Sequence, residues 1–273
     1  RAVFARLIGS VDADPVGLAG VQPKVSAGML SVPTQTRLGP AILKLTPARF
    51  PLLVENEHFF MTMAAACGLR AAKTSLVHDA CGQSALLVTR FDRAGNKRIA
   101  QEDACQVADF YPASKYRIKT ETAITALAEA CARGGGSRVA AAAELFKTVV
   151  FSWLIGNGDL HGKNLSIHNA DGIWQPTPAY DLLCTQPYTG WNDPMALTLF
   201  VRANKLNRAD FLDAGEHLGL RSRATAAMID TLVDAASVWP QRCSQIGFDD
   251  RETELLAHML EGRIDSLKAT GAV

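Results

Sequence analysis

The chain has 273 residues, of which 48% are hydrophobic and 20% charged, so it can bury a substantial core. Its formal net charge of +1 is ordinary and offers no argument for nucleic-acid binding, which normally rests on concentrated lysine and arginine. The six cysteines show neither a C-x-x-C pair nor zinc-ligand spacing, and the sequence contains no signal peptide and no long apolar run. We therefore expect a cytoplasmic protein with reduced thiols and no contact with a membrane.

A glycine-containing loop, G-L-A-G-V-Q-P-K, comes first at residues 17–24. Backbone N–H groups in such a loop bind phosphate oxygens, and the lysine at its end adds positive charge. The loop matches neither the kinase G-x-G-x-x-G nor the Walker pattern, so a plain turn remains an equal alternative. A strand is expected near residues 25–31.

A second strand, near residues 40–46, contains Lys44 among apolar residues. A lysine there needs a partner for its charge, and Glu55 or Glu57 on the helix that follows Val54 could supply one. Such a pair holds the nucleotide phosphates in protein kinases. The alternatives are an edge-strand lysine that reaches water, and glutamates that merely favour the helix dipole.

Two more strands are expected near residues 73–78 and 84–90, and the second leads into R-F-D-R. The backbone of residues 89–91 could bind an adenine ring, with Phe91 as part of an apolar wall. The alternative is a strand end with solvated charges. Residues 1–92 are thus predicted to form a small mixed lobe rich in β-structure.

The remainder, residues 93–273, is predicted to be a mostly helical lobe. Helical periodicity and end signals give a helix starting at Thr120 and, beyond a flexible G-G-G-S break, a helix buried on nearly all sides. Three further helices are predicted. In chain order, the predicted helices span residues 120–132, 140–155, 207–218, 223–238 and 248–268.

The most informative segment is N-G-D-L-H-G-K-N at residues 157–164. Asp159 can accept a proton from a hydroxyl, and Asn164, five positions later, offers an amide oxygen to Mg²⁺. Asp181 follows a predicted hairpin and could join the metal to a nucleotide. We expect both acids to face solvent in one cleft. The alternative is a polar loop in which Asp and Asn serve only as turn formers.

Eight motifs together resemble the HipA family of bacterial serine/threonine kinases, over nearly the whole chain. In order they are G-V-Q-P-K at 20–24, I-L-K-L at 42–45, E-N-E at 55–57, V-T-R-F-D-R at 88–93, Q-E-D-A-C-Q at 101–106, W-L-I-G at 153–156, D-L-H-G-K-N at 159–164 and P-A-Y-D at 178–181. The resemblance implies an α+β, two-lobed protein-kinase-like fold that binds ATP and Mg²⁺. It makes Asp159 the catalytic base, and Asn164 and Asp181 the metal ligands.

The resemblance also implies which residues contact the nucleotide. They are Ala19, Gly20, Val21, Gln22, Pro23, Lys24, Lys44, Glu57, Thr89, Arg90, Phe91, His161, Gly162, Lys163, Asn164, Tyr180 and Asp181. For His161, a structural role in the loop remains an alternative. S-K-Y-R-I-K, at residues 114–119, is a small basic cluster that is either a solvated loop or a docking site for an acidic partner.

Family members are toxins of toxin–antitoxin modules that phosphorylate aminoacyl-tRNA synthetases. The implied partners are therefore a synthetase, a DNA-binding HipB-like antitoxin and a small HipS-like subunit, with DNA reached only through the antitoxin. Two features depart from the pattern. Only about 16 residues precede the phosphate loop, as in the short HipT-like form or a fragment. Gly17 and Ala19 stand where the family has a self-phosphorylated serine, with Ser10, Ser26 and Ser31 as other acceptors.

Two other functions compete with the protein kinase. Aminoglycoside and choline kinases use a loop similar to G-D-L-H-G-K-N, although they lack R-F-D-R and Q-E-D-A-C-Q. A catalytically silent scaffold in a DNA-bound antitoxin complex is the other alternative. The presence of Lys44, Asp159, Asn164 and Asp181 argues against that scaffold, since loss of any one is the simplest route to inactivity.

Overall fold

The computed structural model describes residues 29–37, 39–95, 97–200 and 202–268. The predicted phosphate loop at residues 17–24 lies outside them, and so do Ser10, Ser26 and most of the predicted strand at 25–31.

The chain begins, within the described residues, with a four-stranded antiparallel sheet. Its strands are β1 (Leu30–Thr36), β2 (Gly39–Leu45), β3 (Thr74–His78) and β4 (Ser84–Thr89), in the spatial order β1-β2-β4-β3. The observed bounds of β2, β3 and β4 agree with the predicted strands. The first runs on to Thr36 although it contains Pro33. Because β1 is an edge strand, a proline without an N–H can be accommodated there.

Helix α1 (Leu53–Ala66) packs against this sheet. Its side chains Leu53, Phe60 and Met63 are fully buried, as a helix between a sheet and a second layer requires. The helix ends at Ala66, and Gly68 follows with a φ of 73°, the left-handed conformation that glycine adopts readily.

Helices make up most of the chain after β4. They are α2 (Ala104–Val107), α3 (Thr120–Arg133), α4 (Arg138–Leu154), α5 (Gln186–Thr189), α6 (Arg208–His217), α7 (Ser222–Ala236) and α8 (Asp250–Leu267), with 3₁₀ helices at Pro112–Ser114 and Pro240–Ile246. The five long helices were predicted to within a few residues. The two four-residue helices and the 3₁₀ turns were not, because so few residues show no periodicity.

Within the described part of the chain, five short strands lie between β4 and α2 and between α4 and α5. Two of them, β5 (Arg93–Ala94) and β6 (Lys97–Arg98), make a small hairpin. The others, β7 (Gln101–Asp103), β8 (Ser166–Ala170) and β9 (Ile173–Pro176), form an antiparallel sheet in that order. The predicted β8–β9 hairpin is present, with Asp171 and Gly172 both at positive φ, as a tight hairpin turn requires. The sequence did not predict strand β7, because its three residues are all polar and show no alternation of polar and apolar side chains.

Helix α4 is the central support. It is buried over most of its length, including Phe146, Phe151 and Leu154, which are fully inaccessible, as the sequence predicted. One hydrophobic core runs without interruption from α1 and β4 through α3 and α4 to the last helices. The sheet and the helical part are therefore packed as one body around α4. No described helix is long and apolar enough to span a membrane.

The G-G-G-S break between α3 and α4 was predicted to be flexible, and this interpretation is corrected. A Cβ on Gly134 would lie 2.3 Å from the Trp174 side chain, and one on Gly136 would lie 2.3 Å from the Trp174 carbonyl oxygen. Glycine is therefore needed there for close packing of the helix connection against β9. Ser137 then begins α4, with its Oγ accepting the Ala140 N–H.

Candidate active site

Lys44 on β2 lies between two carboxylates from distant parts of the chain. Its Nζ is 2.6 Å from Glu57 Oε1 on α1 and also donates to Asp181 Oδ1, after β9. Lys44 is 9% exposed and Glu57 1%. Of the two glutamates considered, Glu57 is the partner, because residues two apart on a helix point to nearly opposite sides. Lys44 is not an edge-strand lysine that reaches water, since β2 lies between β1 and β4.

Burial and charge act in opposite directions on this cluster. Burial alone would lower the pKa of Lys44, but the carboxylates of Asp181 and Glu57 outweigh it and raise the pKa above its ordinary value. Burial raises the pKa of Glu57 to about 7, although the Lys44 ammonium opposes the shift. The Lys44 ammonium is therefore charged at neutral pH, and the Glu57 carboxyl titrates close to neutral pH.

The loop with Asp159 follows directly from the end of α4. Gly156 takes a φ of 72°, which lets the chain turn out of the helix. The Asp159 N–H donates to Asn157 Oδ1 at 2.9 Å and so closes a local turn. Asp159 is only 4% exposed, so the expectation that it faces solvent is wrong. The neighbouring segments cover the carboxylate; one of them contributes Tyr116, whose hydroxyl donates to Asp159 Oδ1 at 2.8 Å.

Asn164 and Asp181 lie next to each other at the end of this loop. Asn164 Nδ2 donates to Asp181 Oδ2 at 3.2 Å, while its Oδ1 accepts the His161 N–H at 3.0 Å. Asp181 has a φ of 56°, which is uncommon for a residue other than glycine and often marks a functional site. The side chain of Asp181 is 31% exposed, as expected for an acid that faces a cleft.

This pair suits a magnesium ion. Mg²⁺ in phosphate-binding sites takes one or two protein oxygens and completes its shell with water and phosphate. The described residues contain no group of three or more His, Cys, Asp or Glu side chains that could hold a metal by themselves. One carboxylate beside one amide is thus a donor set for Mg²⁺ shared with a nucleotide, provided that the Asn164 amide turns its oxygen toward the ion.

A cavity of about 390 Å³ opens beside Lys44, Glu57 and Asp181. Its lining also includes Thr89, Arg90, Phe91, Ile42, Val88 and Leu183. The volume and the mainly apolar lining suit a nucleotide-sized ligand. Ser31, one of the alternative acceptors for self-phosphorylation, lies on β1 and lines the same cavity.

The predicted adenine-binding segment is held in place by ion pairs. Asp92 accepts from Arg90 and Arg93, each at 2.5 Å, and the Arg90 guanidinium holds the pKa of Asp92 below its usual range. The N–H groups of Thr89 and Arg90 donate to Lys73 and Pro40 carbonyls. Of the three predicted residues, only Phe91 therefore has a backbone N–H that donates to no described residue.

Tyr180 joins the two ends of the β8–β9 hairpin. Its hydroxyl lies 2.7 Å from the Lys163 carbonyl oxygen and 2.5 Å from Ser166 Oγ. Its ring lies 5.7 Å from that of Phe91, between centroids. Burial raises the pKa of the Tyr180 phenol, which stays a neutral donor. Tyr180 therefore fixes the loop that carries Asn164 relative to the cavity wall.

The family model described as HipA-like C-terminal domain matches residues 16–239. The chain belongs to this family. Its relative "Putative kinase Y4mE" of Sinorhizobium fredii is 31% identical over 263 residues, which are 91% of this chain and 62% of the relative. "Serine/threonine-protein kinase toxin HipA" of Shewanella oneidensis is 28% identical over 208 residues, or 67% and 46% of the two chains. The chain thus spans less than two thirds of the length of these curated relatives.

Two solved structures share the fold of this HipA-family chain. HipA from a Shewanella oneidensis complex of HipA, HipB and operator DNA superposes with a TM-score of 0.71 at 23% identity, over 94% of this chain and 66% of that one. The Helicobacter pylori proinflammatory kinase CtkA superposes with a TM-score of 0.59 at 13% identity, over 87% and 88%. The predicted α+β, two-lobed, kinase-like fold is confirmed.

Two residues near Asp159 were not predicted to belong to the site. The Tyr116 hydroxyl donates a hydrogen bond to Asp159 Oδ1, and Lys115 Nζ lies 2.8 Å from His161 Nε2. Both come from the S-K-Y-R-I-K segment, whose side chains were expected to be solvated or to dock a partner. They lie more than 40 positions before Asp159, so no local spacing links them to the loop. Another cavity, of about 770 Å³, lies between the segment that follows α1, helix α4 and the start of α7, and none of the predicted site residues lines it.

Proposed function

We propose that this chain is an ATP-dependent, magnesium-dependent kinase. The observation that carries the proposal is the meeting of Lys44, Glu57, Asn164 and Asp181 beside a cavity of nucleotide size. These residues come from β2, α1, the loop after α4 and the segment after β9. No structural requirement of the fold explains an ammonium and two carboxylates around one cavity, whereas phosphate and metal binding does.

Each residue then has a role. Lys44, held by Glu57, contacts the nucleotide phosphates, and Phe91 offers its N–H to the base. Asn164 and Asp181 hold Mg²⁺, which when bound neutralises charge that develops on the phosphates. The predicted loop at residues 19–24 covers the phosphates, and the two lobes divide near residue 92. Asp159, in the loop that follows the buried helix α4, receives the proton of the acceptor hydroxyl.

The substrate proposal is narrower than the kinase proposal. We infer that the acceptor is a serine or threonine of a protein, and specifically of an aminoacyl-tRNA synthetase, so that the chain acts as the toxin of a toxin–antitoxin module in the cytoplasm. The family, and the name of the Shewanella relative as a serine/threonine-protein kinase toxin, support this step. We propose a HipB-like antitoxin as the partner, supported by the HipB and operator DNA in the similar complex, and a HipS-like subunit as a second partner.

Radiolabelled ATP tests the activity and the acceptor together. The purified chain is incubated with Mg²⁺, ATP labelled at the γ-phosphate and a bacterial lysate, and labelled proteins are identified by mass spectrometry. We expect label on a serine or threonine of a synthetase with the wild type, and none with Asp159→Asn or Asp181→Asn. Asp213→Asn is the matched control, because this exposed acid on α6 lies outside the candidate site.

The outcomes separate the two levels of the proposal. Label on another protein would reject the synthetase and keep the kinase. Label on a small molecule alone would favour the aminoglycoside and choline kinase type. Equal labelling by the wild type and both site variants would reject the assigned roles, and an inactive wild type with measurable affinity for ATP would favour the silent scaffold.

A further inference from the structure

Lys115 reaches the candidate site from a segment far away in sequence. It follows the 3₁₀ helix Pro112–Ser114, and its carbonyl oxygen accepts the Gly162 N–H at 2.9 Å. Gly162 is glycine for a reason, since a Cβ there would lie 2.7 Å from Cys105 Sγ and 2.8 Å from Ile118 Cγ2. The segment is thus packed tightly onto the loop between Asp159 and Asn164.

The partner of the Lys115 ammonium is a neutral group. Its Nζ lies 2.8 Å from Nε2 of His161, which is 6% exposed. A lysine ammonium carries only donors, so Nε2 accepts and the ammonium donates. No described carboxylate forms an ion pair with Lys115. The Asp159 and Asp181 carboxylates act on the ammonium only from beyond ion-pair distance. Its positive charge is therefore held in position without a direct ion pair among the described residues.

The buried Lys44 cannot supply this charge. Lys44 donates to both Glu57 and Asp181, so its ammonium is already compensated by two carboxylates. In phosphoryl transfer, negative charge spreads over the three equatorial oxygens of the group in transit, and a cation directed at them stabilises the transition state. Lys115 is half-buried, lies beside the loop that carries Asp159 and forms no ion pair with a described carboxylate. Its ammonium can therefore stabilise this negative charge.

We infer that Lys115 is a further catalytic residue, which contacts the phosphoryl group in transit and stabilises its charge. The inference rests on the proposed phosphoryl transfer. In that step the acceptor oxygen bonds to the γ-phosphorus while the bond from phosphorus to the β,γ-bridging oxygen breaks. ADP leaves with the electron pair, and Asp159 takes the hydroxyl proton. Lys115 changes no bond. Tyr116 is a positioning residue that orients the Asp159 carboxylate through its hydrogen bond.

The test compares a ground-state ligand with a transition-state analogue. Affinities for Mg²⁺–ADP and for Mg²⁺–ADP with aluminium fluoride are measured by calorimetry for the wild type, Lys115→Ala, Lys115→Met and Lys119→Ala. Lys119 is the matched control, because it belongs to the same basic segment but is exposed. Thermal unfolding of each variant checks the fold, and Lys115→Met keeps the apolar stem if the alanine variant is unstable.

We expect both Lys115 variants to bind the aluminium fluoride complex about 100-fold more weakly while ADP affinity changes little, since the lost contact exists only in the transition state. The transfer rate falls equally, and ethylammonium partly restores it in Lys115→Ala. Equal losses for both ligands, or none, would overturn the inference. A wild type that prefers ADP alone and transfers no phosphate would instead reject the proposed function, and this inference with it.

Discussion

Replacement of Lys44 by methionine is expected to change how stability depends on pH. The substitution keeps the apolar stem but removes the ammonium that lies 2.6 Å from Glu57 Oε1. Burial already raises the pKa of Glu57 from 4.5 to about 7, and the ammonium opposes that shift. In the variant the pKa of Glu57 therefore rises further. Asp181, whose side chain is 31% exposed, is solvated by water instead.

The sign of the change in stability follows from the proton that the Glu57 carboxyl keeps in the folded state. An acid whose pKa is higher in the folded than in the unfolded state contributes most stability below its unfolded value and loses it as pH rises to the folded value. In the wild type this loss ends near pH 7. In Lys44→Met it continues, at about 1.4 kcal/mol per pH unit. Above pH 7 the free energy of unfolding of Lys44→Met should therefore keep falling, by at most that amount per pH unit, while the wild-type value has levelled off.

Urea denaturation of both proteins from pH 6 to 9 measures this difference. The double variant Lys44→Met with Glu57→Gln is the control, because it has no carboxyl to titrate and should lose the extra slope. Parallel pH profiles of the wild type and Lys44→Met would refute the reasoning, since they would mean that the ammonium does not hold the charge state of Glu57.

Three further predictions concern hydrogen bonding, packing and burial in the fold. Asn56→Ala should destabilise the chain by about 2 to 4 kcal/mol in urea denaturation, because the buried Asn56 amide satisfies both the N–H and the carbonyl of Cys184; a loss below about 1 kcal/mol would contradict this. Gly134→Ala should lower Tm, since its methyl group meets the indole on β9, whereas Gly262→Ala in the open interior of α8 should raise it. Ellman's reagent should react rapidly with one of the six thiols of the native protein, Cys81, because the other five are buried; fast reaction of a second thiol would be inconsistent with the packing.

Most of the secondary structure could be predicted from local patterns. Helices of ten or more residues show their periodicity, and glycines such as Gly68 and Gly156 mark where they end. Strand β1 was one exception, because Pro33 argues against a strand until the strand is known to lie at a sheet edge. Strand β7 is defined only by its pairing with β8, so no pattern within its three residues could reveal it.

For the site, the residue types and their order along the chain were readable before the structure was known. The five-residue step from Asp159 to Asn164 lies within one loop, and a strand lysine followed by helix glutamates is a local pattern. The choice of Glu57 over Glu55 and the burial of Asp159 depend on which side of each element meets its neighbour. Periodicity alone leaves that undecided.

The amino-acid sequence by itself determined the long helices, most of the longer strands, the family and the chemical types of the groups in the cleft, because these depend on short-range propensities and on motifs contained within single segments. Only the tertiary structure decided that Lys115 and Tyr116 belong beside Asp159 and that Lys44 is already neutralised by two acids. The physical reason is that charge compensation and hydrogen bonding are set by distances across the fold, between residues whose separation along the chain carries no information about them.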